Sequence, residues 1–112
     1  MEKSNGEIII KTTLVDRAHA EEFARGLLTR RLAACVSCLP GALSLYRWES
    51  EEITEETEYM IWIKTHRTKL AEIEAYFKDE HPYTVPELLV IDIAGIDPAY
   101  REWMQKEMRT SW

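Results

Sequence analysis

The sequence predicts an α+β fold of the ferredoxin-like kind, β-α-β-β-α-β with a long central hairpin and an extra C-terminal helix. Three observations predict it. The apolar pattern alternates between strand and helix periods in that order, and right-handed crossovers close such an order into a four-stranded antiparallel sheet with both long helices on one face. The strands are apolar on both sides, which places a second covering surface opposite the helices. The chain has 112 residues, enough for one compact domain over 1–112 and too few for two ordinary ones. Residues 1–6 are expected to be flexible.

EIIIKTTL, Glu7 to Leu14, is short and β-branched and reads as the first strand. Asp16 can cap a helix, with Glu21 and Glu22 near its positive end. Ala20, Phe23, Ala24, Leu27 and Leu28 then recur at helical spacing, so this helix should run to about Arg31. Ala34 to Ser50 reads as one long strand bent at Pro40–Gly41, because proline removes a ladder donor and glycine permits a bulge. A polar turn near Ser50 to Glu52 reverses the chain, and TEETEYMIWIKT returns as the second arm of a hairpin with an acidic tip. Thr65 or Thr68 can open the second helix, Leu70, Ile73 and Phe77 form its buried stripe, and His81–Pro82 end it. ELLVIDIAG is the fourth strand. Asp97–Pro98 is an N-cap and first-turn pair for a terminal helix whose Tyr100, Trp103 and Met104 can pack.

Composition narrows the function. Apolar residues make up 46 % and charged residues 30 %, with a formal net charge of −6. A core is affordable, and the negative charge repels phosphate backbones and anionic membranes, so neither nucleic acid nor membrane is an expected partner. No apolar stretch approaches the ~20 residues that span a bilayer. MEKSNGEIII lacks the apolar middle of a signal peptide, and a cytoplasmic location is expected. Cys35 and Cys38 are spaced C-x-x-C. In a strand, residues three apart face opposite sides, and no second Cys/His pair completes a zinc knuckle, so two ordinary thiols are expected, with Cys35 in the core.

Ile8, Ile9 and Ile10 are consecutive, as are Tyr59 to Ile63 and Leu88 to Ile91. A one-sided sheet would alternate. A domain leaving its second face wet would expose an apolar patch of several hundred Å², and the most economical cover is another copy of the chain. A symmetric homo-oligomer is therefore expected.

HPYTVPE, His81 to Glu87, joins the second helix to the fourth strand and holds the densest set of candidate groups. Neutral imidazole suits copper, zinc and nickel, so His81 is a candidate ligand; the competing role is to end a helix. Tyr83 and Glu87 lie four apart in a proline-stiffened segment and share its side. Lys64 closes an apolar strand, where a lysine either enters a cleft or snorkels at the rim. Tyr46 and Trp48 share a face and suit either a pocket or a subunit contact. The acidic hairpin, Glu49 to Glu58, either gathers divalent cations or solubilises the tip. His19 and His66 have no partner at useful spacing and read as surface. No Ser/His/Asp or Cys/His set and no glycine-rich phosphate loop is recognisable, so no enzyme is expected.

LAACVSCLPGALSLYRWES, IWIKT, HPYTVPELL and the terminal tyrosine–tryptophan helix occur together and in this order. In that combination, over Ile8 to Trp103, the chain resembles the CutA family of divalent-cation tolerance proteins. The resemblance implies a ferredoxin-like fold and a homotrimer with its sheets turned inward, similar to PII-like regulatory proteins. It implies metal tolerance and copper(II) binding without an obligatory cofactor. Family copper ligands fall at a first-strand cysteine, which aligns with Thr12, and at the histidine before "PY", which aligns with His81; the residue before it, sometimes also histidine, is Glu80 here. The expected protein is a trimeric copper-binding protein with His81 leading and Glu80, Glu87 and Tyr83 helping. The alternatives are a PII-like module that holds a small metabolite between subunits through Lys64, Trp48, Tyr83 and Glu87, and a protein-docking role for the acidic tips.

Overall fold

A computed structural model describes residues 1–112. Its elements are β1 (Glu2–Lys3), β2 (Glu7–Leu14), α1 (Arg17–Thr29), β3 (Cys35–Tyr46), β4 (Thr54–His66), α2 (Leu70–Glu80), β5 (Leu89–Asp92), β6 (Gly95–Ile96) and α3 (Pro98–Met108). Four strands form one antiparallel sheet in the order β3-β4-β2-β5, and β1 pairs with β6 as a separate ribbon. Both long helices cover one face, as the β-α-β-β-α-β order requires.

Period-two alternation decides what each face receives. In β2, Ile8, Ile10, Thr12 and Leu14 stand opposite Thr65, Ile63, Ile61 and Tyr59 of β4, and the apolar members join Phe23, Leu27, Ile73 and Phe77 in the main core. The residues between them, Ile9, Lys11 and Thr13, stand opposite Lys64, Trp62 and Met60 on the face without helices. That open face leaves Leu39, Leu89 and Ile91 exposed. The consecutive isoleucines are thus explained by a sheet with two apolar faces and one helical layer.

Local signals act where expected. Asp16 accepts the His19 amide at 2.9 Å and caps α1, and Asp97 accepts from Ala99 and Tyr100 at the start of α3, with Pro98 in its first turn. The β3–β4 register slips between Leu39 and Ala42, where Gly41 takes φ +79°, the left-handed conformation that glycine tolerates.

Several expectations are corrected. Residues 1–6 include β1, which pairs with β6 in place of hanging free. β3 stops at Tyr46, because Arg47 to Ile53 turn over without ladder partners, so Trp48 lies beyond the strand. The fourth strand divides: β5 stays in the main sheet and Gly95–Ile96 leaves it for β1. The entry to α2 is a 3₁₀ turn over Arg67–Lys69. His66, not a threonine, caps that turn by accepting the Thr68 amide. His66 is buried, not a surface residue; it also donates to Asn5 O and stacks on Trp112. In α3, Met104 and Met108 are the buried side chains, whereas Tyr100 and Trp103 stay exposed.

Gly26 of α1 sits where α2 presses closest. A Cβ there would stand 2.1 Å from Tyr76 Oη. The Tyr76 ring cannot retreat: its hydroxyl donates to Phe23 O at 2.8 Å, Phe23 lies against one side and Arg30 over its face. Alanine ordinarily gains ~1 kcal/mol over glycine inside a helix, but overpacking costs ~1–3 kcal/mol. Gly26→Ala is expected to lower stability by about 1 kcal/mol and at most about 2, the overpacking cost less the helical gain, read as a lower urea midpoint at unchanged m-value. A raised midpoint would mean that the helices separate without cost.

Candidate functional site

The site grows from the end of α2. Helix α2 stops at Glu80 because the residue before a proline is pushed out of the helical region, and His81 is extended at φ −75°, ψ 130°. This turns the imidazole under the sheet. His81 is 7 % exposed and packs among Phe23, Phe77 and Tyr83. Nε2 lies 3.1 Å from Thr13 O and 3.1 Å from Thr12 Oγ1. A carbonyl only accepts, so Nε2 carries the proton, and Nδ1 receives the Tyr83 amide at 3.2 Å. Burial pushes the imidazole pKa below its ordinary 6.5, against opposing contributions from Thr13 and Glu58. Both ring nitrogens are occupied internally, and the ring is neutral.

His81 thereby fixes the backbone of Tyr83. The Tyr83 hydroxyl donates to Glu58 Oε2 at 2.6 Å. Burial pushes its pKa well above the ordinary 10, reinforced by the Glu58 carboxylate, so this phenol remains a donor. Glu58 shares the parity of Met60, Trp62 and Lys64 and faces the open side of β4. It is 5 % exposed.

Around this pair lies a cleft of about 720 Å³ between the hairpin arm and the 82–87 segment. Lys11 and Glu87 meet across it at 2.6 Å. Glu56, Tyr46 and Trp48 line the arm side, with apolar walls from residues such as Leu45 and Val85.

The expected site residues therefore part company. Tyr83, Glu87 and Trp48 do line one cleft. Lys64 does not; its ammonium lies 3.1 Å from Ser37 Oγ and 3.5 Å from Cys35 Sγ, further along the same face. Glu80 reaches Arg30 at 3.5 Å on the other side of the joint. His81, Glu80 and Glu87 do not converge, and no three His, Cys, Asp or Glu side chains in the chain form a metal-holding group. Thr12 and His81, the two positions that the resemblance tied to copper, are direct neighbours through a hydroxyl–imidazole contact.

Cys35 and Cys38 are both free and half-buried. Cys38 packs on the core and Cys35 stands on the opposite face beside Lys64, so the strand separates the pair. Desolvation pushes the Cys38 thiol up, away from the reactive thiolate.

Sequence reasoning missed Glu58 and Lys11. The available signal was parity: an acidic residue in phase with Met60 and Trp62 belongs on an apolar face, not on a solvated tip.

Comparison with known proteins agrees with this architecture. Residues 8–107 match the family model described as CutA1 divalent ion tolerance protein. The divalent-cation tolerance protein CutA of Pectobacterium atrosepticum is 39 % identical over 102 residues, 91 % of this chain and 92 % of that one. The structure of CutA from Synechococcus elongatus superposes with a TM-score of 0.90 at 31 % identity, covering 95 % of this chain and 93 % of that one. The divalent cation tolerance protein of Thermus thermophilus superposes at 0.85 and 33 %, covering 94 % and 99 %.

Proposed function

Since this chain belongs to the CutA1 divalent ion tolerance family, a role in metal tolerance follows, and we propose that it fills that role as a homotrimer that binds divalent cations, copper(II) first. The observation that carries this reading is an incomplete site beside an uncovered face. One chain gathers no three-ligand group, yet Glu80 and Glu87 are engaged only by partly exposed basic side chains, Arg30 and Lys11. The open face leaves Leu39, Leu89 and Ile91 uncovered, a surface that a second copy can bury. A cation then recruits Glu80 or Glu87 together with donors from a neighbouring copy, while His81 positions the segment and does not itself ligate.

Titration calorimetry of the purified oligomer with copper(II), zinc(II) and nickel(II) tests this, alongside its mass by light scattering. The expected result is a trimer that binds copper(II) at about one site per chain, weakened roughly tenfold or more by Glu87→Gln. A monomer, or weak non-stoichiometric binding that Glu87→Gln leaves alone, would sink the reading.

A second reading has its own support. The cleft at Glu58, Tyr83 and Trp48 has the size and mixed lining of a small-molecule site, which suits a metabolite-responsive module that acts in metal tolerance without holding the metal.

A further inference from the structure

Two opposite charges stand on the open face of β4, and neither has a counter-ion in its own chain. Glu58 is buried. Tyr83 donates to its Oε2, and Oε1 receives no hydrogen bond. Since no fully buried polar atom of the chain lacks a partner, Oε1 is the atom that reaches the surface. Lys64 is half-buried. Its ammonium is met only by neutral groups, Ser37 Oγ at 3.1 Å and Cys35 Sγ at 3.5 Å.

Both residues share the parity of Met60 and Trp62, on the face that leaves Leu39, Leu89 and Ile91 bare. Whatever covers that face takes both charges out of water. An uncompensated buried charge is strongly unfavourable, and an opposite charge that completes its hydrogen bonds offsets the loss. The two cannot serve each other within one chain, because six residues of one strand hold them about 20 Å apart. The other basic groups near Glu58 are engaged. Lys11 is held by Glu87 at 2.6 Å, and Arg47, on the exposed turn beyond β3, donates to Glu51 O.

We infer that Lys64 of one copy completes Glu58 of the next, its ammonium on Glu58 Oε1, and that this ion pair fixes how the copies meet. This rests on the homotrimer proposed above and names the residues of its contact. The pair joins two different positions, so the contact is heterologous and repeats around a closed ring, with three identical pairs in a trimer. Lys64 lies outside the cleft of its own chain and thereby enters that of its neighbour, where it joins Glu58, Tyr83 and Trp48. Tyr83 aims the carboxylate, and His81 holds Tyr83.

The test measures subunit exchange. Unlabelled and ¹⁵N-labelled samples of the full chain are mixed, and native mass spectrometry follows the appearance of mixed oligomers. Glu58→Gln keeps an acceptor for Tyr83, and Lys64→Met keeps the apolar stem. Each single variant strands the other charge at the contact and is expected to speed exchange by roughly tenfold or more. The double variant strands nothing, so it should exchange no faster than the faster single. A charge swap, Glu58→Lys with Lys64→Glu, should exchange more slowly than either reversal alone. At about 20 Å within one strand, only a contact between copies gives that rescue. Where a single variant no longer assembles, the swap decides, because it must restore the oligomer. A double variant whose acceleration is the product of the two single effects overturns the inference and leaves the homotrimer standing. So does a swap that rescues nothing. A wild type with the mass of a monomer overturns the homotrimer and the inference with it.

Discussion

His81→Ala is expected to cost about 2–4 kcal/mol of folding stability, whatever it does to metal binding. The substitution removes a ring packed among Phe23, Phe77 and Tyr83. It also removes the donor to Thr13 O and the acceptor of the Tyr83 amide. A solvent-facing ligand would cost little when deleted, so urea unfolding of wild type and variant separates the two roles directly. The same geometry gives a pH dependence. Burial holds the folded imidazole below its ordinary pKa of 6.5, so the unfolded chain takes up a proton first as the pH falls. Stability is full above about pH 6.5 and declines below it, until the folded ring also protonates. Wild type should lose stability between pH 7.5 and 5.5, and His81→Gln should flatten that slope. A wild-type curve that is flat over this window would mean that the imidazole is not buried neutral.

This role was only half legible from sequence. His81 before Pro82 announces the end of a helix, and that reading needs no tertiary information. Which atoms Nε2 meets depends on β2, nearly seventy residues away, and no local spacing encodes it. The same divide runs through the fold. Asp16, Asp97 and Pro40–Gly41 act on their own neighbourhoods, and each marks its boundary. Strand parity predicted two apolar faces because every side chain in a strand commits to one of two sides. Glu58 was assigned to the acidic tip because its neighbours Glu55 and Glu56 carry the same charge. Its parity with Met60, which puts it on the apolar face, was the better guide. His66 and Lys64 failed for a related reason. The partners that bury His66, Asn5 and Trp112, come from the two chain ends, while Lys64 reaches across the ladder to Ser37 of β3 and away from the cleft. The division of the fourth strand was equally hidden, since β6 exists only because β1 returns to pair with it.

Arg101→Met is expected to be the most destabilising change outside the apolar core, by about 3–5 kcal/mol. Glu7 begins β2 with its residue 1 % exposed. Its carboxylate accepts from the Asn5 amide at 2.9 Å, from Arg101 Nη2 at 2.9 Å and from Trp112 Nε1 at 2.6 Å. Arg101 also donates to Glu2 Oε1 and Lys3 O, so one guanidinium on α3 ties β1 to β2, and the Glu7 carboxylate adds the C-terminal Trp112. Desolvation alone would raise the Glu7 pKa, but Asn5, Arg101 and Trp112 outweigh it and hold the carboxyl below its ordinary 4.5. The carboxylate's contribution is therefore complete above about pH 4.5 and is lost as the pH falls through the lowered folded value. Methionine keeps most of the arginine stem's volume while leaving a buried anion without its cation, so the cost is electrostatic more than steric. Adding Glu7→Gln to Arg101→Met removes that stranded charge. The double variant should consequently be more stable than the sum of the two single losses predicts, by roughly 1–3 kcal/mol in a cycle of urea unfolding measurements. Strict additivity would mean that Glu7 is hydrated and the clamp is a surface ion pair. Coupling of the expected size would identify the Glu7–Arg101 contact as the tie between the β1–β6 ribbon and the main sheet.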